Sequence, residues 1–390
     1  MTNWLFQLGR ETELCRLELA NLARVHGYGA IESWNGFAQL SAEDDTTLLL
    51  GFVPELGGTL RVIREVGTWS LDAAEGEWFQ PSGAWALSAL EPGLGSEREE
   101  IRGWIRQRVK ADEELHGREV RAAPGEFEVS PAKVSAENLA DREAEFCLWK
   151  NPAGEVRVGR TAWVFSTEEF STRDVKKPVR PRRRGLLPPK LARQMVNLAR
   201  TEKGGKLLDP FCGSGVVLME GLSLGLAVAG SDNRDEALDQ TRKNLGWFLN
   251  HNHEIPRENH FMLERLDVRQ LTKQIEPLSL DMVVGEGDLG PPIRGSLSRK
   301  EAIGFVPKLE ELYVAAFAEI RIVLKPGGRV CLAVPFWRPN EGDPILLNLK
   351  RRLELMGYVP AIPEKGFDPI LYSRKDQKVG RAIYVLESPE

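Results

Sequence analysis

The stretch that decides the fold of this chain is Leu207-Leu208-Asp209-Pro210-Phe211-Cys212-Gly213-Ser214-Gly215. Its apolar start predicts a buried strand, and its two glycines predict a tight turn directly after that strand. The apolar segment from Val216 to Leu224 comes next and predicts a helix. A strand, a glycine-rich turn and a helix N-terminus in this order present backbone N–H groups that a ligand can approach closely. The stretch therefore predicts a ligand-binding turn in an α/β domain.

The acid at the start of the turn limits which ligand fits. The spacing is not Gly-x-Gly-x-x-Gly, and the Asp209 carboxylate would repel a pyrophosphate. A carboxylate here suits a ligand that carries an ammonium group, as the methionine half of S-adenosylmethionine does. We therefore predict S-adenosylmethionine as the cofactor, held by Asp209, Pro210, Phe211, Cys212, Gly213, Ser214 and Gly215.

Two further acids follow the next two predicted strands. Asp232 ends the strand 226–231, and Asp267 follows the strand 260–266. In nucleotide-binding βαβ units, an acid about 20 residues after the glycine turn accepts hydrogen bonds from ribose hydroxyls. A single such acid is more often a helix cap or a solvated loop residue, but three acids at successive strand ends favour a binding edge. The cofactor residues predicted at this edge are Asp232, Asn233, Asp267 and Val268.

Length and composition indicate a well-packed protein with two domains. A chain of 390 residues exceeds one ordinary core, and its ten tryptophans and 42% hydrophobic content argue against disorder. The four cysteines are scattered without a Cys-x-x-Cys pair, which argues against a disulfide framework or a zinc site. No apolar run is long enough to span a bilayer, and no leader pattern stands at the N-terminus. We therefore expect a cytoplasmic protein with neither a membrane partner nor a metal; its oligomeric state is left undetermined.

A segment rich in proline and arginine divides the chain. Residues 1–165 alternate short strands and helices, which is typical of α+β regions. Residues 166–190 are predicted as a basic linker, because proline interrupts regular elements. Residues 191–390 alternate strand and helix, which predicts a parallel sheet covered by helices on both faces. The predicted strands are 4–8, 37–40, 48–50, 85–88, 206–209, 226–231, 260–266, 280–284 and 329–334, with a turn at 324–328. The predicted helices are 11–26, 97–115, 190–201, 216–224, 235–249 and 308–323.

The linker carries a dense run of positive charge in a chain whose formal net charge is −5. Such a run is either an RNA-facing patch or a solvated linker, and charge alone does not separate the two. The candidate RNA-binding residues are Lys176, Lys177, Arg180, Arg182, Arg183, Arg184 and Lys190.

The chain resembles the THUMP-domain tRNA guanine-N2 methyltransferases, in particular a bacterial branch of that family. The glycine motif alone is common to many methyltransferases, whereas the run from Arg180 to Gly215 is more specific. The motifs that carry the resemblance extend over nearly the whole chain and are Leu5–Arg10 with Glu13-Leu14, Leu56–Thr59, Ser171–Asp174, Arg180–Arg183, Leu186–Ala192, Leu208–Gly215 and Tyr372–Arg381.

The resemblance implies an architecture and a set of roles. It implies a class I methyltransferase, Rossmann-like, with a mostly parallel seven-stranded sheet and one antiparallel strand near its edge. A ferredoxin-like and THUMP-like region would precede it and capture RNA, with tRNA as the expected partner. By the same resemblance, Asp209, Phe211, Gly213 and Gly215 cradle the methionine part of the cofactor. Asp232 would hold the ribose, Asp267 would lie beside the adenine, and the basic run with Lys190 would face phosphates.

The chain departs from the family pattern directly after the strand 280–284, the fourth predicted strand of residues 191–390. Enzymes that methylate an exocyclic amine usually have Asp or Asn, two prolines and an aromatic residue in this turn. Acceptors there orient the poorly nucleophilic amine, and the aromatic ring stacks on the base. Here Glu286, Gly287, Asp288 and Leu289 occupy those positions. Glu286 and Asp288 are the predicted catalytic residues, Glu286 also being counted with the cofactor residues. Asp288 is either a second acceptor or only a turn residue.

Three other features of the sequence allow weaker interpretations. Trp337 is a candidate to replace the missing aromatic residue, whereas Trp247-Phe248 is assigned to the core. His251, His253 and His260 are assigned to a polar loop, since no cysteine or acid completes a metal site.

The first hypothesis is therefore an S-adenosylmethionine-dependent RNA methyltransferase acting on guanine N2 of tRNA. One alternative is an RNA-binding protein on a methyltransferase scaffold that has lost catalysis, which the altered turn suggests. The other is a methyltransferase that acts on amines of DNA or of another substrate.

Overall fold

The computed structural model describes residues 1–43, 45–69, 83–111, 118–180, 186–201, 205–256, 262–293, 295–374 and 377–389. The chain divides into two compact units. One unit contains Met1–Arg16 and His26–Glu169, and the other contains Leu17–Val25 and Phe170–Glu390.

The first unit is built on one mixed sheet. Its strands are β1 (Thr2–Leu8), β2 (Glu32–Trp34), β3 (Phe37–Ala42), β4 (Thr59–Thr68), β5 (Trp85–Ala89), β6 (Glu119–Val120), β7 (Glu145–Lys150) and β8 (Val156–Val164). The helices in this part of the chain are α1 (Thr12–Val25), α2 (Asp45–Thr47), α3 (Gly95–Ala111), α4 (Pro131–Ala136) and α5 (Thr167–Ser171).

These eight strands pair in the order β2-β3-β1-β4-β8-β7-β5-β6. β1 pairs antiparallel with β3 and β4, while β5 pairs parallel with β6 and β7. The predicted α+β region is therefore present, with its strands joined in one continuous sheet.

The strand predicted at Leu48–Leu50 is wrong. The chain forms a π-helical turn over Leu48–Phe52 instead. Leu48 and Phe52 are fully buried, whereas Leu50 is 77% exposed. A spacing of four between buried residues is the period of a helix, not that of a strand, and three adjacent leucines hide it in the sequence.

The second unit is an alternating α/β domain. Its strands are β9 (Lys206–Asp209), β10 (Ala227–Asp232), β11 (Met262–Arg265), β12 (Leu280–Glu286), β13 (Leu324–Trp337), β14 (Ile345–Leu346), β15 (Val359–Pro360), β16 (Ile370–Tyr372) and β17 (Val379–Glu387). Its helices are α6 (Pro189–Ala199), α7 (Val216–Ser223), α8 (Asp235–His251), α9 (Arg299–Val323) and α10 (Lys350–Leu355).

Seven of these strands form a path in the order β11-β10-β9-β12-β13-β17-β15. β9 to β13 pair in parallel, and β17 is antiparallel to both β13 and β15. β14 and β16 extend the sheet by pairing with β13 and β17. The central parallel strands β9, β12 and β13 are mostly buried, as expected of strands covered on both faces, whereas the edge strand β11 is not.

Two predicted boundaries in this unit shift. α9 begins at Arg299, nine residues before the predicted start, because Ser298 and Glu301 form a capping box and the helix continues through Pro307. The turn predicted at 324–328 lies within β13, where the pairing passes from Leu280–Leu324 to Met282–Arg329. The residues between these two pairs form a bulge that keeps the strand continuous.

Candidate functional site

The sheet order places the ends of four parallel strands side by side. Asp209 ends β9 and pairs with Gly230, so Asp232 lies two residues further along the neighbouring strand β10. Asp232 in turn pairs with Arg265 of β11, which places Asp267 just beyond that strand. On the other side of β9, β12 continues past Asp209 and ends at Glu286. The predicted acids therefore lie along one edge of the sheet.

Asp209 lies under the glycine turn and supports its backbone. Its carboxyl group is 2% exposed and accepts a hydrogen bond from the Phe211 N–H at 3.0 Å. A Cβ at Gly285 of β12 would lie 2.6 Å from Asp209 Oδ1, so only glycine fits beside this carboxyl group. Burial raises the pKa of Asp209 well above its ordinary value, and the nearby charges of Asp232 and Glu286 act in the same direction.

The turn itself depends on glycine at two positions. Gly213 and Gly215 have φ values of 53° and 81°, in the left-handed region that favours glycine. A Cβ at Gly215 would also lie 3.0 Å from the Thr241 side chain of α8. Thr241 Oγ1 donates to the Gly213 carbonyl at 3.1 Å, and Asn244 Nδ2 donates to the Ser214 carbonyl at 2.9 Å. α8 therefore holds the turn in place from behind.

Asp232 is connected directly to the turn. The Gly213 N–H donates to Asp232 Oδ2 at 3.2 Å, and the Arg234 N–H donates to Asp232 Oδ1 at 3.1 Å. The Arg234 guanidinium also lies 3.2 Å from Asp232 Oδ1. Asp232 is 7% exposed, whereas Asn233 is exposed next to it. A carboxylate fixed beside a glycine turn is the acceptor that ribose hydroxyls require.

Asp267 caps the short 3-10 helix Val268–Lys273. It accepts hydrogen bonds from the Arg269 N–H at 3.0 Å and from the Arg269 guanidinium at 2.9 and 2.6 Å. These hydrogen bonds lower the pKa of Asp267. Val268 is buried behind it. Asp267 thus lies at the predicted edge, in contact with a cation from its own loop.

Glu286 at the end of β12 forms an ion pair with Arg381 of β17. Glu286 Oε2 accepts a hydrogen bond from Arg381 Nε, and the two side chains are 13% and 5% exposed. Arg381 reaches across β13, because Ala333 pairs with Glu286 on one side and Pro335 pairs with Arg381 on the other. Burial raises the pKa of Glu286, and the Arg381 guanidinium opposes that rise.

The backbone after Glu286 is fixed by Tyr313 of α9. A Cβ at Gly287 would lie 2.6 Å from Tyr313 Cε1, and the Tyr313 hydroxyl donates to the Asp288 carbonyl at 2.8 Å. The Asp288 side chain is exposed, and its Oδ1 accepts the Gly290 N–H at 3.0 Å. This contact is that of a turn residue, which supports the second of the two roles left open for Asp288.

Of the aromatic candidates of the sequence, Trp337 and Phe248 lie in the core, whereas Trp247 is half-buried. Trp337 is fully buried, with its ring centroid 5.8 Å from that of Phe305, so it does not replace the missing aromatic residue at the edge. Phe248 is 1% exposed, as predicted, and Trp247 packs against His251 at a centroid distance of 4.9 Å. Near the edge, Phe211 is half-buried and Tyr372 lies opposite Arg381 in the β16–β17 pair.

The basic run separates into residues with different surroundings. Lys176 and Arg180 are exposed, and Arg180 lies 4.0 Å from Asp174. Lys177 is only 3% exposed, and burial lowers its pKa. A buried ammonium group does not fit the predicted phosphate contact. Lys190 lies half-buried at the start of α6. The predictions for Arg182, Arg183 and Arg184 lie outside the described residues.

Two negative findings concern the described part of the chain. Its helices include none that is long and apolar enough to cross a membrane. Its His, Cys, Asp and Glu side chains form no group of three or more that could hold a metal ion. The predictions for His251 and His253 fit a polar helix end, and His260 lies outside the described residues.

The residues at the edge fit S-adenosylmethionine. The glycine turn carries no side chain at the two positions where the backbone turns, and carboxylates stand at the ends of β9 and β10 on either side of it. The predicted roles place a cation near the first acid and a ribose near the second. Binding of a cation beside Asp209 would also offset the cost of ionising its buried carboxyl group.

The sequence reasoning missed Arg381, Tyr313 and Gly285 as site residues. Arg381 stands in one of the motifs that carried the resemblance, but its partner is on a strand far away in the chain. The glycines at 285 and 287 flank Glu286, and they are the one local signal that bulky side chains pack against the backbone at this point.

Part of the chain is similar in sequence to known methyltransferases. Residues 178–336 match the family UPF0020, described as the RMKL-like methyltransferase domain. The tRNA (guanine(10)-N2)-dimethyltransferase of Methanothermobacter thermautotrophicus is 32% identical over 46% of this chain and 47% of its own length. A probable tRNA (guanine(10)-N2)-dimethyltransferase of Methanothermococcus thermolithotrophicus is 37% identical over 28% of this chain and 64% of its own length. The chain thus spans about half the length of the first of these relatives.

The fold is shared with a solved structure. The crystal structure of TrmN from Thermus thermophilus superposes with a TM-score of 0.52 at 18% identity, covering 99% of each chain. This superposition confirms the predicted fold class. The predicted resemblance to tRNA guanine-N2 methyltransferases is supported by the sequence identity with the two dimethyltransferases. S-adenosylmethionine, the predicted cofactor, is the methyl donor that domains of this class use.

Proposed function

We propose that this chain, which carries a class I methyltransferase domain, methylates the N2 amine of a guanine in tRNA with S-adenosylmethionine as the methyl donor. The observation that supports this most directly is the arrangement of the sheet edge. The cofactor turn at the end of β9 lies beside the end of β12, where Glu286 and its turn stand. A base amine held by that turn would face the methyl donor.

The cofactor residues have distinct roles in this proposal. The turn 210–215 would receive the methionine part, and Asp232 would accept hydrogen bonds from the ribose hydroxyls. When bound, S-adenosylmethionine supplies an electrophilic methyl group on a sulfonium centre. Asp267 would lie beside the adenine, where its contact with Arg269 keeps the carboxylate ionised.

The turn 286–289, called the base turn, would orient the amine in this proposal. The lone pair of an exocyclic amine is delocalised into the ring, so positioning by acceptors contributes much of the rate. Glu286 supplies carboxylate oxygens, and the carbonyls of the turn, fixed by Tyr313, supply further acceptors. The amine's proton leaves after the nitrogen has gained positive charge, so a carboxylate beside it also stabilises that charge.

The substrate is proposed as tRNA, and the enzyme would then act in the cytoplasm. The relatives that share this chain's methyltransferase segment are named for tRNA. The exposed Lys176 and Arg180, which precede α6 in the sequence, could contact the RNA backbone. Contacts of this kind neutralise phosphates and position the RNA without recognising its sequence.

The test is methyl transfer with purified full-length protein. Labelled S-adenosylmethionine is incubated with unmodified tRNA transcripts or with duplex DNA, and the nucleosides are analysed by mass spectrometry. We expect N2-methylguanosine in tRNA and no label in DNA. Glu286→Ala is expected to lose transfer while S-adenosylhomocysteine still binds in calorimetry. Label in DNA alone, or no cofactor binding, would contradict the proposal.

A second function has one observation in its favour. Asp288 is turned into its own loop and Glu286 is occupied by Arg381, so the altered turn offers fewer acceptors than the usual one. An RNA-binding protein that has lost catalysis would bind tRNA and cofactor and yield no methylated nucleoside. The same experiment separates the two functions.

A further inference from the structure

Glu286 stands where the family has a shorter acid or amide, and the structure gives it a cationic partner. Arg381 Nε contacts Glu286 Oε2, and Arg381 Nη2 donates to the Leu186 carbonyl at 3.4 Å. The Arg381 guanidinium also lies 5.9 Å from the centre of the Tyr372 ring. Arg381 is therefore fixed by three segments of the second unit, and its position on Glu286 is set by the sheet and not by a flexible loop.

Because a guanidinium keeps its charge at every ordinary pH, this contact favours the ionised form of the Glu286 carboxyl group. The other titratable groups that face Glu286 are Asp209 from β9 and Tyr313 from α9. Burial raises the pKa of both groups well above their ordinary values. Asp288 lies on the same turn with its side chain exposed.

An ionised carboxylate only accepts hydrogen bonds, and it has about four acceptor positions on its two oxygens. The Arg381 contact uses one of them. Guanine presents two adjacent donors, N1–H and N2–H, on the edge that carries its amine. Adenine presents its N6–H beside N1, which is an acceptor, and cytosine presents its N4–H beside N3, also an acceptor. An ionised carboxylate pairs with both guanine donors and faces a repelling lone pair in the other two bases.

We infer that the carboxylate of Glu286, paired with Arg381, selects guanine by accepting its N1–H and N2–H together and excludes adenine and cytosine. This inference rests on the proposed function, since it assumes that a base enters beside Glu286. Glu286 is thus the specificity-determining residue, and Arg381 is a positioning residue that acts through it. The extra methylene of glutamate gives the reach needed for a two-point contact with a ring edge, where the usual shorter acid meets the amine alone.

The test measures base choice by binding, so that it does not depend on methyl transfer. The full-length protein is saturated with S-adenosylhomocysteine, and binding of guanosine, inosine and adenosine 5′-monophosphates is compared by ligand-observed NMR. Inosine monophosphate keeps N1–H but lacks the N2 amine. Hydrogen bonds to a charged group change affinity by about 10- to 100-fold each. We expect guanosine to bind better than inosine, and inosine better than adenosine, by steps of about tenfold.

Three variants identify the groups responsible. Glu286→Gln replaces one acceptor with an N–H₂ donor, so it should lose the guanosine preference and gain adenosine binding. Arg381→Lys keeps a cation beside the carboxylate and should retain the preference. Arg381→Met removes the cation, so burial raises the pKa of Glu286 further and the guanosine preference should appear only as the pH rises. Glu387→Gln, which breaks the pair with Arg329 at the other end of β17, is the matched control and should leave base choice unchanged.

The outcomes separate this inference from the proposed function. A guanosine preference that Glu286→Gln abolishes supports the inference, whether or not methyl transfer to tRNA is observed. Equal binding of the three nucleotides, or a guanosine preference that Glu286→Gln leaves intact, overturns it. Transfer to tRNA guanine by a Glu286→Gln variant with unchanged rate would also overturn it while leaving the proposed function standing.

Discussion

Gly287 of the base turn and Tyr313 of α9 pack so closely that no side chain fits between them. A Cβ at Gly287 would lie 2.6 Å from Tyr313 Cε1, and the Tyr313 ring is fully buried. The Tyr313 hydroxyl also fixes the turn by donating to the Asp288 carbonyl. The shape of the turn after β12 is therefore set by a residue on a helix that begins thirteen positions later in the chain.

This contact predicts that Gly287→Ala is destabilising and disrupts base capture. Extra volume in a packed site costs about 1–3 kcal/mol, and displacement of Tyr313 would release the Asp288 carbonyl. Thermal unfolding and methyl transfer measure the two effects. Gly246→Ala is the control, because a Cβ at Gly246 of α8 meets nothing within 4 Å and alanine favours a helix. Equal stability of the two variants would contradict the packing argument.

The cofactor turn gives a second prediction, in which two glycines of similar backbone conformation behave differently. Gly215 and Gly225 have φ values of 81° and 75°, but only a Cβ at Gly215 meets a neighbour, the Thr241 side chain at 3.0 Å. Alanine at either position costs about 1–2 kcal/mol in backbone strain. We expect Gly215→Ala also to weaken S-adenosylhomocysteine binding at least tenfold, because it displaces the turn. Gly225→Ala should leave that affinity unchanged in calorimetry, and equal losses in both variants would refute the prediction.

The stability that Asp209 contributes to the folded chain should fall as the pH rises. Its pKa is raised by burial, so the folded chain holds this proton to higher pH than the unfolded chain does. The stability from this group is present below the unfolded pKa and is lost as the pH rises toward the folded one. Asp209→Asn should therefore raise the free energy of unfolding of the cofactor-free protein at pH 7 by about 1 kcal/mol or more. Urea unfolding between pH 4 and 8 measures it, and a lower stability at pH 7 would contradict the assignment.

The stability that Asp281 of β12 contributes should change with pH in the opposite direction. Burial acts to raise its pKa, but hydrogen bonds from Lys325 Nζ at 2.6 Å and from the Lys206 N–H at 2.9 Å outweigh burial and lower it. The stability from this group is present above the unfolded pKa and is lost as the pH falls through the folded one. Asp281→Asn should lower the free energy of unfolding at pH 7 by about 1–3 kcal/mol and have less effect at pH 3. Together the two variants form a matched pair.

Variants of the two adjacent lysines in the basic run should differ in their effects, one on RNA binding and the other on stability. Lys176 is exposed, so Lys176→Met should weaken tRNA binding and reduce the slope of log affinity against log salt by about 0.9. Lys177 is buried, and its ammonium group has no hydrogen-bond partner within the described residues. Lys177→Met should leave the salt slope unchanged and maintain or raise stability, because an apolar side chain avoids the cost of a buried charge. Filter binding at several salt concentrations distinguishes the two variants. A changed salt slope in Lys177→Met but not in Lys176→Met would show that Lys177, and not Lys176, contacts the RNA.

Much of the second unit could be predicted from the sequence. The strands and helices from Lys206 to Trp337 follow local signals, since the apolar runs, the acids at strand ends and the glycines act within a few residues of one another. The same signals predicted the glycine turn and the acids Asp209, Asp232 and Asp267 at neighbouring strand ends. Where local periodicity was hidden, as at Leu48–Leu50, or where a capping box extended a helix past a proline, as at Ser298, the predicted element or boundary was wrong.

The sequence by itself determined the glycine turn after β9, because a strand, a glycine turn and a helix carry their own conformational preferences. Only the tertiary structure decided the state of the base turn. Glu286 and Arg381 are 95 residues apart, and they meet because the pairing of β12 with β13 and of β13 with β17 brings their strands into register. Likewise, Lys177 and Lys176 are neighbours in a basic run, and only packing makes one of them buried and the other exposed. Burial and charge pairing depend on what lies across the sheet, which no local pattern of residues encodes.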